Sequence, residues 1–152
     1  GGRLKKAMSL LADEPFCLTY GDGLSDLNIN ALIDSHLASK NWCTLTAVTQ
    51  PGRYGALRLK EGNSQVEGFR EKGEIDGGLI YGGFFVCNPE VFETIDDSQT
   101  VWENEPMNRM IELGKLGYFH HNGYWQSMDT LRDRMVLETA WAEGAPWKLW
   151  KE

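Results

Sequence analysis

The 152-residue chain has no apolar run near the roughly 18 residues that a membrane-spanning helix requires, no internal repeat, no low-complexity tract and no long charged tail. No membrane partner is therefore expected. The opening "GGRLKK" is followed by no apolar stretch, so it is not expected to be a signal peptide. Basic charge is scarce: 15 Lys and Arg stand against 22 Asp and Glu, a net charge of −7. A general binder of nucleic acid polymers would need a basic face, so that class is excluded. A single phosphorylated ligand is not, because a few placed cations and a divalent ion can receive it. Cysteine is sparse as well. Cys17, Cys43 and Cys87 lie far apart in apolar segments, without a Cys-x-x-Cys or Cys/His spacing. That pattern reads as three reduced core thiols in a cytoplasmic protein and argues against structural zinc. His120 and His121 are adjacent in a predicted strand and point to opposite faces, a poor arrangement for a shared metal.

What is present is an ordinary globular composition, 41% hydrophobic and 24% charged, with enough chain for one core. A helix is expected over 4–12 and a buried strand over 16–20. "GDG" then breaks the strand. An amphipathic helix over 28–39 places Ile29, Leu32, Ile33 and Leu37 on one stripe, with Asp26 or Asn28 as its cap. "CTLTAVT" is the next strand, so strand, helix and strand form a βαβ unit that favours parallel pairing. The pattern then changes. Two short strands joined at a Gly-Asn turn lead to a long strand, "LIYGGFFVC", and "PEVFETI" reads as a short helix. A helix over 105–113, two short strands in "GYFHH" and "GYWQSM", and a helix over 130–143 follow. In that last helix Val136, Leu137, Ala140 and Trp141 share a stripe, and the aromatics of "GAPWKLW" pack back on the body. The expected class is a mixed α/β domain, parallel first and more antiparallel later.

Four constellations can carry chemistry. Asp22 lies just past a strand end between two glycines, which suits either an Asp-Gly turn or a ligand site beyond the carboxyl end of a strand. Asp129 precedes the last helix. Thr130 with Asp133 resembles a capping box, which would leave Asp129 free of capping duty and able to face a cleft. Two carboxylates on different element ends can hold one hard divalent cation such as Mg²⁺. Glu71 and Lys72 form either a solvated charge pair or a sugar-hydroxyl acceptor beside a phosphate-binding ammonium. Gly82 and Gly83, inside a strand, mark either a bulge or the close approach of a ligand.

Taken in order, "LTYGDGLSDLNINALI", "LTAVTQPGRYGALRL", "FREKGEIDGGLIYGGFFVCNPEVF" and "GYWQSMDTLRD…APWKLW" resemble the sugar-phosphate nucleotidyltransferase family across essentially the whole chain. "TVWENEP" and "PWKLW" resemble its cytidylyl-transferring branch most. The resemblance implies a Rossmann-like, GT-A-like α/β fold with a mixed sheet, and transfer of a cytidylyl group from CTP to α-D-glucose 1-phosphate. It implies Mg²⁺ as cofactor, held by Asp22 and Asp129, with Asp22, Lys72 and Asp129 as the catalytic set. Glu71 would hold sugar hydroxyls, Lys72 the sugar phosphate, Gly55 and Gly83 would line the sugar pocket, and Arg3 would lie near the nucleotide phosphates.

The match corresponds to the C-terminal three-fifths of such an enzyme. No Gly-rich nucleotide loop of the G-x-G-T-R kind precedes it and the first βα unit is missing, so residues 1–152 are expected to form a partial domain, inactive alone. The alternative is a non-catalytic homologue that binds a sugar phosphate or serves in assembly. Either way, apolar surface left uncovered would favour a homo-oligomer. Two positions depart from the family pattern: Gly73 replaces a proline after Lys72, and Tyr81 stands where an asparagine is common.

Overall fold

Nine residues of strand, Leu79–Cys87, form the spine of the molecule. The computed structural model describes residues 1–49, 56–59, 64–70 and 78–150. In chain order the elements are α1 (Gly2–Ala7), β1 (Phe16–Thr19), β2 (Gly23–Ser25), α2 (Ile29–Leu37), β3 (Cys43–Thr49), β4 (Ala56–Leu59), β5 (Val66–Arg70), β6 (Leu79–Cys87), α3 (Glu105–Glu112), β7 (Leu116–His121), β8 (Trp125–Ser127) and α4 (Leu131–Ala142). Short 3₁₀ segments cover Met8–Leu10 and Pro89–Thr94.

The main sheet has the order β1-β6-β3-β7. β6 is antiparallel to both β1 and β3, and β3 is parallel to β7. β1 and β3 therefore run the same way without touching. The βαβ expectation is corrected here: β6, apolar along most of its length, inserts between the two strands that α2 connects. β3 is buried at six consecutive positions, the mark of a strand covered on both faces. Phe85, Met107, Met110, Leu116 and Trp102 fill one side of the sheet. Leu32 of α2 packs against Val86 on the other.

Several burial expectations do not hold. β1 is an edge strand with alternate residues exposed, and Cys17 is on the surface, not in the core. Of the α2 stripe, Leu32 is buried, whereas Ile29 and Leu37 are exposed; His36 takes an interior place, bonded through Nδ1 to Thr44 and through Nε2 to Asn88. The inward face of α2 is therefore carried by Leu32, Ile33 and His36, not by the four-residue stripe. In α4, Leu137 is buried but Val136 and Trp141 are exposed. The first helix is also shorter than expected, giving way to a 3₁₀ turn at Met8.

Caps were more legible. Asn28 Oδ1 accepts from the Ala31 amide at the start of α2. Thr130 and Asp133 form the reciprocal capping box at the start of α4. At the other end of α4, the Ala145 amide reaches Ala140 O at 2.8 Å while Gly144 has a φ of 121°, a Schellman closure. It turns the chain so that Ala145 and Trp147 pack under Leu137.

Candidate functional site

A second, two-stranded sheet accompanies the main one. β2 pairs with β8 antiparallel, with Gly23 opposite Ser127 and Ser25 opposite Trp125. The ladder continues one bond further, from the Met128 amide to Asp22 O at 2.8 Å. Two aspartates more than a hundred positions apart in sequence are thereby set on neighbouring chain segments at the same end of one ribbon. Both are exposed, and both line a cavity of about 360 Å³ together with Gly83, Tyr81 and Trp125. Ser127 Oγ donates to Asp129 Oδ2 at 2.9 Å, which orients that carboxylate. Thr130 and Asp133 satisfy the helix start between themselves, so Asp129 is not consumed as its cap.

The double glycine of β6 lines the same cavity. Leu45 faces Phe85 and Ala47 faces Tyr81, so β6 carries two more residues than β3 across this interval. The bulge is real, with Gly83 at a φ of 77°. A side chain at Gly83 would also meet the Tyr20 ring at 3.0 Å, so the position is closed to other residues by conformation and by space. The two sequence readings of the double glycine are compatible: it is a bulge, and it lines a cavity.

Asp22 also borders a larger cavity, about 760 Å³, that Gly1, Gly2 and Arg3 of the N-terminal segment line as well. The two glycines admit close backbone contact. A Cβ at Gly2 would lie 1.9 Å from Ser98 O, and the Gly2 amide donates to Thr100 O at 3.0 Å. The "GGR" segment is thus packed against the loop that leads into "TVWENEP". On the wall between the cavities, Tyr20 donates its hydroxyl to Glu103. Burial, reinforced by that hydrogen bond, pushes the Tyr20 phenol well above its usual range. Burial, with Glu103 nearby, also raises Tyr81.

The structure therefore brings Asp22, Asp129 and Gly83 to one cavity and Arg3 and Asp22 to another. Gly55, Glu71 and Lys72 lie outside the described residues, as does Gly73. Sequence reasoning did not single out Tyr20, Glu103, Trp125 or Ser127 as site residues. "YGDG" and "WQSMD" contain three of them beside the chosen aspartates; adjacency was the available signal.

Asp22 and Glu103 put negative charge on the larger cavity and Arg3 puts positive charge there. Among the described residues no group of three or more His, Cys, Asp or Glu is arranged to hold a metal. Two carboxylates fit Mg²⁺ nonetheless, since that ion commonly takes one or two from the protein and fills its octahedron with water and phosphate oxygens. No helix among the described residues is long and apolar enough to cross a membrane.

No family model matches the chain. It is 50% identical over 99% of its length to the glucose-1-phosphate cytidylyltransferase of Salmonella typhimurium, of which it spans 59%. A probable glucose-1-phosphate cytidylyltransferase of Bacillus subtilis is 35% identical over 98% of the chain, which spans 58% of that protein. In fold the chain is similar to HddC from Yersinia pseudotuberculosis, solved with GMP-PN bound. The TM-score is 0.76 at 21% identity, over 89% of this chain and 59% of that one.

Proposed function

We propose that the chain, similar over almost its whole length to glucose-1-phosphate cytidylyltransferases, belongs to the sugar-phosphate nucleotidyltransferase family and is the metal and sugar-phosphate half of such a cytidylyltransferase. The reaction is attack of the phosphate oxygen of α-D-glucose 1-phosphate on the α-phosphorus of CTP. An O–P bond forms as the bond to the pyrophosphate oxygen breaks, giving CDP-glucose and pyrophosphate. The chemistry is positioning and charge neutralisation, with no covalent protein intermediate. Asp22 and Asp129 would hold Mg²⁺, whose charge would offset the repulsion between two anionic reactants and this acidic chain. Arg3 meets nucleotide phosphates across the larger cavity. Lys72 meets the sugar phosphate, Glu71 the sugar hydroxyls, and the backbone at Gly55 and Gly83 lines the sugar pocket.

The observation that carries this reading is the pairing of β2 with β8, which sets Asp22 and Asp129 at one end of one ribbon facing one cavity. Titration of the chain with Mg²⁺, followed by calorimetry, tests it. Binding is expected to be lost in Asp22→Asn and in Asp129→Asn with the fold retained; binding that survives both changes overturns the metal assignment. Because the chain spans 59% of its Salmonella relative, residues 1–152 are read as a partial domain, and no pyrophosphate release is expected from them alone with CTP and glucose 1-phosphate. Self-association belongs to the same proposal. Leu131, Met135, Trp141, Leu149 and Trp150 are all more than half exposed around α4 and the C-terminal segment. Sedimentation checks it, and a monomer at high concentration refutes it.

A further inference from the structure

Strands of three residues such as β2 and β8 do not hold a fixed orientation by their own pairing. The aspartates they carry need a fixed span if they are to share one ion, so the ribbon must be tied to something rigid. Its tie is at the β6 bulge. The Trp125 indole Nε1–H donates to Gly82 O at 2.7 Å, and the Tyr20 amide donates to Gly83 O at 2.9 Å. Both acceptors lie in the stretch where β6 runs out of register with β3, so their carbonyls serve partners outside that ladder.

The sequence around this bond is shaped to it. A Cβ on Gly82 would lie 3.2 Å from Trp125 Nε1 and 3.0 Å from Val48 Cγ1. A Cβ on Gly23 would lie 3.6 Å from Gly82 O and 3.7 Å from the indole nitrogen. The missing side chain at Gly82 leaves the slot that the indole fills, whereas a Cβ at Gly23 would only make ordinary contact with it. One step before Gly23 is Asp22. Two steps after Trp125 is Ser127, whose hydroxyl holds Asp129. The bond thus joins the ribbon to the spine of the main sheet from the strand that leads to Asp129, two residues before the serine that holds it.

We propose that Trp125 is a positioning residue for the Asp22–Asp129 pair, acting through the peptide oxygen of Gly82; this rests on the metal-site reading above. Trp125→Phe keeps most of the ring and removes the donor. The ribbon loses its tie and the two carboxylates lose their fixed span. Mn²⁺, which accepts the same oxygen ligands as Mg²⁺, serves as the probe, with free and bound ion distinguished by electron paramagnetic resonance. The dissociation constant of Trp125→Phe is expected to rise by about 10- to 100-fold, the usual effect of removing a group that orients a metal ligand.

Trp147→Phe makes the same chemical change in the packing cluster under α4 and is expected to leave Mn²⁺ affinity unchanged. A merely structural role would move both variants in step with their unfolding midpoints. Gly82→Ala approaches the bond from the other side, crowding the indole while keeping it, and covers the case in which Trp125→Phe does not fold; weakened Mn²⁺ binding is expected there too. Wild-type affinity in a folded Trp125→Phe or Gly82→Ala protein overturns the positioning role while leaving the metal reading intact. A wild-type chain that binds no Mn²⁺ overturns the metal reading and this inference with it.

Discussion

The main sheet and the β2–β8 ribbon with α4 are built on different terms. In the sheet, β3 and β6 are paired on both edges, and Phe85, Met107 and Met110 are essentially inaccessible. The ribbon region has three buried apolar residues, Leu137, Ala145 and Trp147, and a surrounding surface of exposed Leu131, Met135 and Trp141. The first region is held by area removed from water, the second by individual caps and single hydrogen bonds. The candidate site lies at the seam, with one wall from each. A site placed there takes its rigidity from the sheet, through the β6 bulge, and its carboxylates from the lighter part.

That contrast can be tested by perturbing each side. Phe85→Ala removes a ring that packs against Tyr20 at 5.4 Å and edge-on to Trp102 at 6.1 Å. A loss of about 3–5 kcal/mol in denaturant unfolding is expected. Leu137→Ala in the ribbon region should cost about 2–3 kcal/mol, the lower part of the range for this substitution, because the exposed neighbours can close over the space. Equal losses at the two positions would erase the contrast. Thr130→Ala removes the hydroxyl that accepts from the Asp133 amide and should cost about 1 kcal/mol, measured the same way.

The smallest effect at neutral pH is at Tyr20, and it sharpens the seam itself. Burial and then the bond to Glu103 raise this phenol, so the fold favours its neutral form. The stabilisation is complete below the unfolded tyrosine pKa, near 10, and declines as pH climbs above it toward the folded value. The unfolding midpoint of the native chain should fall between about pH 9 and pH 11 by more than that of Tyr20→Phe. Parallel curves would mean that Tyr20 ionises as freely in the fold as outside it.

Local signals explain what the sequence revealed. Asn28, Thr130 and Asp133 announced two helix starts because a cap is a matter of three or four consecutive residues. The alternating and continuous apolar runs marked every strand of the main sheet. Strand neighbours were not legible in the same way. Nothing within 16–49 says that β6, arriving thirty residues later, will occupy the slot between β1 and β3. The same non-local insertion explains Cys17: an apolar context suggested the interior, but a strand left on the sheet edge exposes alternate side chains. Asp22 and Asp129 could be chosen because each stands at an element boundary. The indole bond to Gly82 O could not, because Trp125 and its acceptor meet only through tertiary structure.

The β2–β8 pairing has a consequence for the order in which the molecule comes into being. Asp22 leaves the ribosome before Asp129, and the strand that aligns them is made after every strand of the main sheet. The sheet of β1, β3, β6 and β7 has all of its strands by residue 121. A nascent chain can therefore assemble its scaffold while the two carboxylates remain apart, since pairings of large sequence separation form after nearer ones have reduced their entropic cost. Under the proposed metal reading, affinity for the ion should arise only after the scaffold that receives the ribbon has formed.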